Sequence, residues 1–340
     1  MTTNRVLDVR GLHVSFRTQD GVVQAVRGVD LHVLRGETLG IVGESGSGKS
    51  VTQMAIMGLL PDTAEIRADA IHLDGNDLLA HDAEALRKLR GSHMSMIFQD
   101  PMTSLNPFLT LGTQIAEMLR LHRGLRGRAL REAVVHALAE VQIPKPALRA
   151  EQYPHEFSGG MRQRAMIAMM LAGRPKLLIA DEPTTALDVT VQAQILELLA
   201  VLQRERGTSI VLITHDLGVV AGSAQRVAVM YSGRVVEEAT TEALFAHPSH
   251  PYTRGLLASI PRLDHDEGAL QPIPGSPPDL EALPAGCPFR PRCSHAVPRC
   301  SEEEPALRSL PGHEAGHRAA CWVDLDALSV SAVGESRAQP

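Results

Sequence analysis

The stretch "GESGSGKS" (43–50) fits the pattern G-x-x-x-x-G-K-[ST]. The apolar run "ETLGIVG" (37–43) before it predicts a short strand, and "KSVTQMAIMGLL" (49–60) after it predicts a helix, which is the context this motif requires. Glycines let successive backbone N–H groups turn inward around phosphate oxygens, and the start of a helix favours an anion. The stretch therefore predicts a phosphate-binding loop between a strand and a helix.

We expect the loop and the first helical residues to hold a nucleoside triphosphate. Lys49 would reach the β- and γ-phosphates, and the Ser50 hydroxyl would bind Mg²⁺. The predicted nucleotide contacts in this segment are Gly43, Ser45, Gly46, Ser47, Gly48, Lys49, Ser50 and Val51.

A second motif, "LLIADEP" (177–183), is an apolar strand that ends in two carboxylates. Asp181 is predicted to hold Mg²⁺, directly or through water, and Glu182 to polarise the water that attacks the γ-phosphate. A strand running into an acidic turn is common by itself, but together with the phosphate loop it predicts nucleotide hydrolysis.

Composition limits the possible function classes. The 340 residues carry a formal charge of -6, which argues against a nucleic-acid partner, because such proteins usually present a basic stripe. The N-terminus has no apolar signal region, and the longest apolar runs, such as "AMIAMMLAG" (165–173), are too short to cross a bilayer. We therefore expect a cytoplasmic protein.

The strand–helix–strand alternation of residues 175–216 predicts a parallel α/β sheet with crossover helices. Period-two alternation over 6–35 predicts antiparallel strands, and the segment from about 105 to 172 has a helical pattern. "VAVMYSGRVVEE" (227–238) predicts a hairpin that turns at Ser232-Gly233.

Between the two nucleotide motifs lies "FSGGMRQR" (157–164), in which Ser158, Gly159 and Gly160 precede a helix and predict a second anion site. One chain does not need two γ-phosphate sites, whereas two chains arranged head to tail do. These residues resemble the signature loop of the ATP-binding cassette (ABC) ATPases, with Phe157 and Met161 as departures from its commonest form.

The other motifs of this family occur in the expected order. Gln99 resembles the Q-loop glutamine, which implies a catalytic role and a Mg²⁺ contact, and Asp188 in "TALD" (185–188) resembles the D-loop residue at the partner subunit. His215 resembles the switch histidine at the γ-phosphate, and Phe16 is a candidate for stacking on adenine. The implied fold is the ABC ATPase fold: a RecA-like core with antiparallel β and helical subdomains.

Longer segments are similar to the ATPase subunits of oligopeptide/dipeptide importers, in particular to the D-type subunit. These segments are "DPMTSLNP", "SGGMRQRAMIAMML", "PTTALDVTVQAQIL" and "HPSHPYTRGLLASIP", and the resemblance covers about residues 5–325. It implies ATP-driven closure with a second, related ATPase on the cytoplasmic face of the inner membrane. It also implies two permease subunits and an extracytoplasmic substrate-binding protein. Alternative cargoes are nickel chelates, glutathione and antimicrobial peptides, and the alternative class is a non-transport ABC ATPase.

We expect a nucleotide-binding domain over 1–250, with its helical subdomain at about 100–172. A small Pro/Cys-rich C-terminal extension would occupy 251–328, and 329–340 would be a disordered tail.

The extension holds every cysteine of the chain: Cys287, Cys293, Cys300 and Cys321. In a reducing compartment, clustered cysteines favour metal binding over disulfides. The spacing leaves three alternatives: a 4Fe-4S cluster, structural zinc, or thiols packed as small apolar groups. The resemblance to the peptide importers implies the 4Fe-4S cluster.

Overall fold

Two β-sheets organise the chain in this computed structural model. The model describes residues 4–19, 21–100, 104–185, 187–260 and 272–325. The predicted tail at 329–340 lies outside the described residues.

The first sheet is antiparallel and has five strands within the described residues, in the order β2-β1-β5-β6 with β4 also paired to β1. Its strands are β1 (Arg5–Arg17), β2 (Val22–Leu34), β4 (Ala64–Arg67), β5 (Ala70–Leu73) and β6 (Asn76–Asp77). The two longest strands pair along almost their whole length, which confirms the antiparallel pattern predicted for residues 6–35.

The second sheet has eight strands among the described residues, in the order β12-β13-β11-β10-β3-β9-β8-β7. Strands β7, β8, β9, β3 and β10 pair in parallel, and the pairs from β10 through β11 and β13 to β12 are antiparallel. The strands are β3 (Thr38–Val42), β7 (Met94–Ile97), β8 (Leu177–Asp181), β9 (Ser209–Thr214), β10 (Arg226–Tyr231), β11 (Arg234–Thr240), β12 (Arg308–Ser309) and β13 (Arg318–Ala319).

Both faces of the parallel strands are buried. Along β8, Leu177 and Ile179 pack towards the antiparallel sheet, whereas Leu178 and Ala180 pack towards the helices. Since successive side chains of a strand point to opposite faces, an unbroken apolar run such as "LLIA" satisfies both layers. This arrangement confirms the predicted parallel α/β sheet.

Helices pack on both faces of the main sheet, the first two on the side of the antiparallel sheet and most of the later ones on the opposite side. They are α1 (Lys49–Met57), α2 (Ala83–Leu89), α3 (Leu111–Arg123), α4 (Gly127–Glu140), α5 (Pro146–Arg149), α6 (Gly159–Leu171), α7 (Val189–Arg206), α8 (Leu217–Ala221), α9 (Thr241–Ala246) and α10 (Pro251–Ala258). Helix α1 stops earlier than its apolar pattern predicts, because Gly58 takes a left-handed conformation (φ 62°) and caps it.

The C-terminal extension is continuous with the main sheet. Strand β13 pairs with β11, and the wholly buried carboxylate of Glu237 on β11 accepts a hydrogen bond from His317 Nε2 at 2.8 Å. The same carboxylate accepts the backbone N–H groups of Ser249 (2.7 Å) and His250 (2.9 Å). One buried acid therefore joins the sheet, the turn before α10 and the extension.

Replacing Glu237 with glutamine should lower the free energy of unfolding by about 1–3 kcal/mol. The amide nitrogen would face N–H donors, so at least one buried hydrogen bond would be lost. Urea unfolding followed by circular dichroism measures the change. Glu132→Gln, at an exposed pair with Arg128 on α4, is the matched control and should stay within about 0.5 kcal/mol of wild type. Equal effects of the two substitutions would contradict the assigned role of Glu237.

Candidate nucleotide site

The phosphate loop follows β3 and passes so close to other backbone that two positions admit only glycine. A Cβ at Gly43 would lie 2.2 Å from the Met230 carbonyl oxygen. A Cβ at Gly48, whose φ is 95°, would lie 2.5 Å from the Ala25 carbonyl oxygen. The loop is thus held against both β2 and β10, in a conformation that only glycine adopts without strain.

Lys49 lies at the start of α1 and folds back over the loop. Its Nζ donates hydrogen bonds to the carbonyl oxygens of Gly43 (2.7 Å) and Glu44 (2.8 Å). Burial lowers the pKa of Lys49, while the nearby carboxylates of Glu182 and Asp181 act in the opposite direction. The ammonium group is therefore positioned at the centre of the loop, where phosphate oxygens would be bound.

Ser50 and Asp181 come together from different elements. The Ser50 hydroxyl donates to Asp181 Oδ1 at 2.9 Å. Burial at the end of β8 raises the pKa of Asp181, and the hydrogen bond from Ser50 opposes that shift. A hydroxyl beside a carboxylate is the kind of oxygen set that Mg²⁺ prefers, so the two residues fit the predicted metal role.

Glu182 is held in place by three side chains from separate loops. Its Oε2 accepts hydrogen bonds from Gln99 Nε2 at 3.0 Å and Thr185 Oγ1 at 2.8 Å, and His215 Nδ1 lies 3.4 Å from Oε1. Its backbone is left-handed (φ 46°), and its N–H donates to the Ile213 carbonyl at 3.0 Å. Gln99 and His215, two of the residues predicted to be catalytic, therefore meet at the carboxylate of the third, Glu182.

These groups open into a cleft of about 960 Å³. The predicted nucleotide-site residues that line it are Phe16, Ser45, Gly46, Ser47, Gly48, Lys49, Ser50, Val51, Gln99, Glu182 and His215. Gly43 and Asp181 lie behind this lining and are joined to it through Lys49 and Ser50. The fold therefore brings residues from five separate sequence segments to one cleft.

The signature segment and the D-loop residue lie elsewhere. Ser158, Gly159, Gly160 and Asp188 do not line the cleft of their own chain, although the structure describes all four. Ser158 caps α6 and Asp188 caps α7, and Val189 beside Asp188 is 83% exposed. Their positions are compatible with the prediction that they serve the nucleotide of a second chain.

Sequence reasoning missed part of the cleft. Glu44 lies inside the loop motif at a position the motif leaves free, whereas the other missed residues carry no local signal. The additional lining residues are Val23, Ala25, Glu44, Leu256, Ser259, Pro272, Ile273, Gly275, Ser276, Pro277, Leu280 and Arg292. Most of them belong to the C-terminal extension, so this part of the chain forms one wall of the cleft.

The four cysteines are free thiols in one neighbourhood of the extension. Cys287 N donates to the Cys300 carbonyl at 2.8 Å. Burial raises the pKa of Cys321 to about 11, and the thiols of Cys293, Cys287 and Cys300 add to that shift. Nevertheless, no group of three or more His, Cys, Asp or Glu side chains in the described residues is arranged to hold a metal ion, so the geometry does not support the expected cluster.

No described helix is both long enough and apolar enough to cross a membrane.

Comparison with known proteins identifies the family. A family model described as "ABC transporter" matches residues 26–185, and one described as "Oligopeptide/dipeptide transporter, C-terminal region" matches 236–300. The oligopeptide transport ATP-binding protein OppD of Haemophilus influenzae is 52% identical over 327 residues, which cover 96% of this chain and 100% of that protein. The chain belongs to the ATP-binding proteins of the oligopeptide/dipeptide ABC transporter family.

Other similarities agree with this family. The dipeptide transport ATP-binding protein DppD of Bacillus subtilis is 52% identical, over 94% of this chain and 95% of its own length. The ATP-binding cassette MJ0796, solved as a dimer bound to ADP and Pi, has a TM-score of 0.62 and 28% identity, covering 69% of this chain and 98% of its own. The ABC ATPase fold and an ATP-hydrolysing activity follow from this membership.

Replacing Glu182 with glutamine should abolish ATP turnover and leave ATP binding intact, because the amide cannot accept the proton of the attacking water. Phosphate release by the assembled transporter and nucleotide titration of the same preparation measure the two properties. Glu197→Gln, on the exposed side of α7, is the control and should keep wild-type turnover. Normal hydrolysis by the Glu182 variant would show that another group is the base.

Proposed function

We propose that this ABC ATPase hydrolyses ATP to drive the import of dipeptides or oligopeptides. The observation that carries the proposal is similarity along the whole chain. Relatives named for oligopeptide and dipeptide transport align with 94–96% of it at 52% identity. The family model for the C-terminal region of oligopeptide/dipeptide transporters matches residues 236–300, so the similarity extends beyond the ATPase core.

The cleft supports a direct mechanism for the hydrolysis. The loop N–H groups and Lys49 would hold the β- and γ-phosphates, and Ser50 and Asp181 would bind Mg²⁺, which neutralises charge on the phosphate oxygens. Glu182 would accept a proton from the attacking water. The water oxygen would bond to the γ-phosphorus, and the bond between that phosphorus and the β–γ bridging oxygen would break, releasing ADP. Gln99 and His215 would hold the Glu182 carboxylate in a fixed position relative to the γ-phosphate.

A complete site would need a second ATPase subunit. The glycines of the signature segment and Asp188 do not line the cleft of their own chain, which supports a head-to-tail pair in which each chain covers the nucleotide of the other. We propose a heterodimer with a related ATPase. ATP would close the pair and hydrolysis would reopen it, moving the permeases between inward- and outward-facing states.

A candidate permease contact lies in the helical segment that follows Gln99 in the chain. Phe108 is 86% exposed. Helix α3 begins just after it, and the Leu111 N–H in the first turn of that helix donates to the Gln152 carbonyl oxygen, next to Tyr153, at 3.0 Å. Tyr153 is also exposed, so two joined segments of the helical region both present a large exposed apolar side chain. Exposed apolar surface of this kind marks interaction sites. This would place the chain peripherally on the cytoplasmic face of the inner membrane.

Substituting Phe108 with glutamate should lower peptide-stimulated ATP hydrolysis by about tenfold or more, because it would put a charge into the apolar contact. The basal ATPase of the isolated ATPase pair should stay unchanged. Leu79→Glu, at an exposed apolar position after β6, is the matched control and should affect neither rate. If coupling survives in the Phe108 variant, the permeases contact another surface.

The cargo is tested by reconstitution. Proteoliposomes containing this chain, its partner ATPase, the two permeases and the binding protein should take up labelled dipeptide or oligopeptide only when ATP is enclosed. Uptake of glutathione, a nickel chelate or an antimicrobial peptide in place of simple peptides would assign the alternative cargo. ATP hydrolysis by an assembly that transports none of these would favour the non-transport alternative.

For the cysteines we propose a 4Fe-4S cluster bound by Cys287, Cys293, Cys300 and Cys321, with zinc as the alternative. The hydrogen bond from the Cys287 N–H to the Cys300 carbonyl oxygen, at 2.8 Å, places two of these residues side by side. Since the described residues contain no preformed metal site, the thiols would have to approach one another when the metal binds. The cluster would brace the extension and would take no part in hydrolysis.

Anaerobically purified protein should contain about four iron atoms and four sulfides per chain if the four thiols bind one cluster. Cys287→Ser should lose them, whereas Ser294→Ala, at an exposed neighbour of Cys293, should retain them. Stoichiometric zinc would assign a structural zinc site. Absence of both metals would leave the cysteines as packed thiols.

A further inference from the structure

A segment of the C-terminal extension, residues 272–281, lines the nucleotide cleft, and we call it the strap. The same cleft is lined by Phe16, the predicted adenine contact, and by the phosphate loop. The strap residues that line the cleft are Pro272, Ile273, Gly275, Ser276, Pro277 and Leu280.

The strap is fixed at both ends. At one end, Thr18 Oγ1, two residues after Phe16, donates to Glu281 Oε1 at 3.2 Å. At the other end, Arg292 Nε donates to the Pro274 carbonyl oxygen at 2.9 Å. The strap therefore runs from the predicted base end of the cleft to a residue that reaches the phosphate end.

Arg292 joins the strap to the phosphate loop. Its two terminal nitrogens donate to the two carboxylate oxygens of Glu44, at 2.7 and 2.9 Å. Its side chain is only 4% exposed, and it also contacts the Tyr231 hydroxyl at 3.3 Å. A buried, two-pronged Arg–carboxylate pair restricts direction as well as distance, so it holds both partners in one geometry.

Glu44 passes that restraint on to the phosphate-binding groups. Its backbone N–H donates to the Tyr252 hydroxyl at 2.8 Å, and its carbonyl oxygen accepts from Lys49 Nζ at 2.8 Å. A shift of Glu44 would therefore move a loop carbonyl to which Lys49 is bonded. The chain of contacts runs from the strap through Arg292 and Glu44 to Lys49.

We propose that Arg292 is a positioning residue for the nucleotide: it locks the strap and the phosphate loop together, so that ATP binds tightly only when the C-terminal extension is in place. The proposal rests on the nucleotide site proposed above. The strap then forms part of the nucleotide site, and the C-terminal extension controls nucleotide affinity through one ion pair.

A second ion pair supplies the comparison that separates positioning from general stability. Arg27 on β2 makes an equally two-pronged bond to Glu304 of the extension, at 2.7 and 3.1 Å. Both residues are described, and neither lines the cleft. This pair also fastens the extension to the body of the protein, but through β2 rather than by a side-chain bond to a residue of the phosphate loop.

The test measures the affinity of the full chain for Mg²⁺-ADP by calorimetry, since this nucleotide is not hydrolysed. It also measures KM and kcat for ATP hydrolysis by the assembled transporter. Arg292→Gln should weaken Mg²⁺-ADP binding and raise KM by about tenfold, with a much smaller change in kcat. Arg292→Lys keeps the charge but loses the two-pronged geometry and should give a smaller loss. Glu304→Gln should leave affinity unchanged.

Two further variants keep the test decisive. The double variant Arg292→Gln/Glu44→Gln should bind within about twofold of Arg292→Gln alone, because the two residues act as one unit. Leu280→Asp puts a negative charge on the strap and should weaken Mg²⁺-ADP binding without disturbing the extension.

Fluorescence of Trp322, the only tryptophan of the chain, reports whether the extension stays folded, because its indole N–H is bonded to the Glu303 carbonyl at 3.0 Å.

Wild-type affinity in Arg292→Gln with native Trp322 fluorescence would overturn the proposal. An equal loss in Glu304→Gln would overturn it too, since the effect would then come from general loosening of the extension. If Arg292→Gln does not fold, wild-type affinity in Leu280→Asp would show that the strap does not border the nucleotide. Failure of the wild-type chain to bind Mg²⁺-ADP would instead refute the nucleotide site itself.

Discussion

The close approach of the phosphate loop to two neighbouring backbone segments is the constraint on which the rest of the site depends. Gly43 and Gly48 pass the carbonyl oxygens of Met230 and Ala25 at distances that exclude any side chain. The loop is further held by the Gly233 N–H, which donates to the Ser47 carbonyl at 3.0 Å. Because the antiparallel sheet and the β10–β11 hairpin both contribute, the phosphate site exists only once the two sheets are packed together.

The carboxylate proposed as the catalytic base depends on the same packing. Glu182 adopts a left-handed backbone conformation, which is costly for a residue with a side chain. The hydrogen bond from its N–H to β9 and the contacts from Gln99, Thr185 and His215 offset that cost. Its partners come from the loops after three different strands, so any rearrangement of those loops changes how the carboxylate is held. The position of the carboxylate is therefore coupled to the arrangement of all three loops.

The C-terminal extension is part of the catalytic unit rather than an appendage. It adds β13 to the edge of the main sheet, buries His317 against Glu237 and supplies a wall of the nucleotide cleft. Buried ion pairs are weak evidence for stability, but they fix geometry strongly because a displaced charge is left without a partner. The Arg292–Glu44 pair and the Glu237–His317 contact both join the extension to structure that the catalytic loops need.

The sequence by itself determined the fold class, the order of most strands and helices, and which residues are candidates for binding phosphate and metal. It could do so because these features are local: a glycine pattern, an apolar strand ending in carboxylates, and apolar residues that recur every two residues in strands or every 3.6 residues in helices. The strap, Arg292 and the role of Glu44 were decided only by the tertiary structure, since they join residues about 250 positions apart through contacts that leave no pattern in the chain. The convergence of Gln99 and His215 on Glu182 was likewise fixed by the order of parallel strands, which brings separate loops to one edge of the sheet.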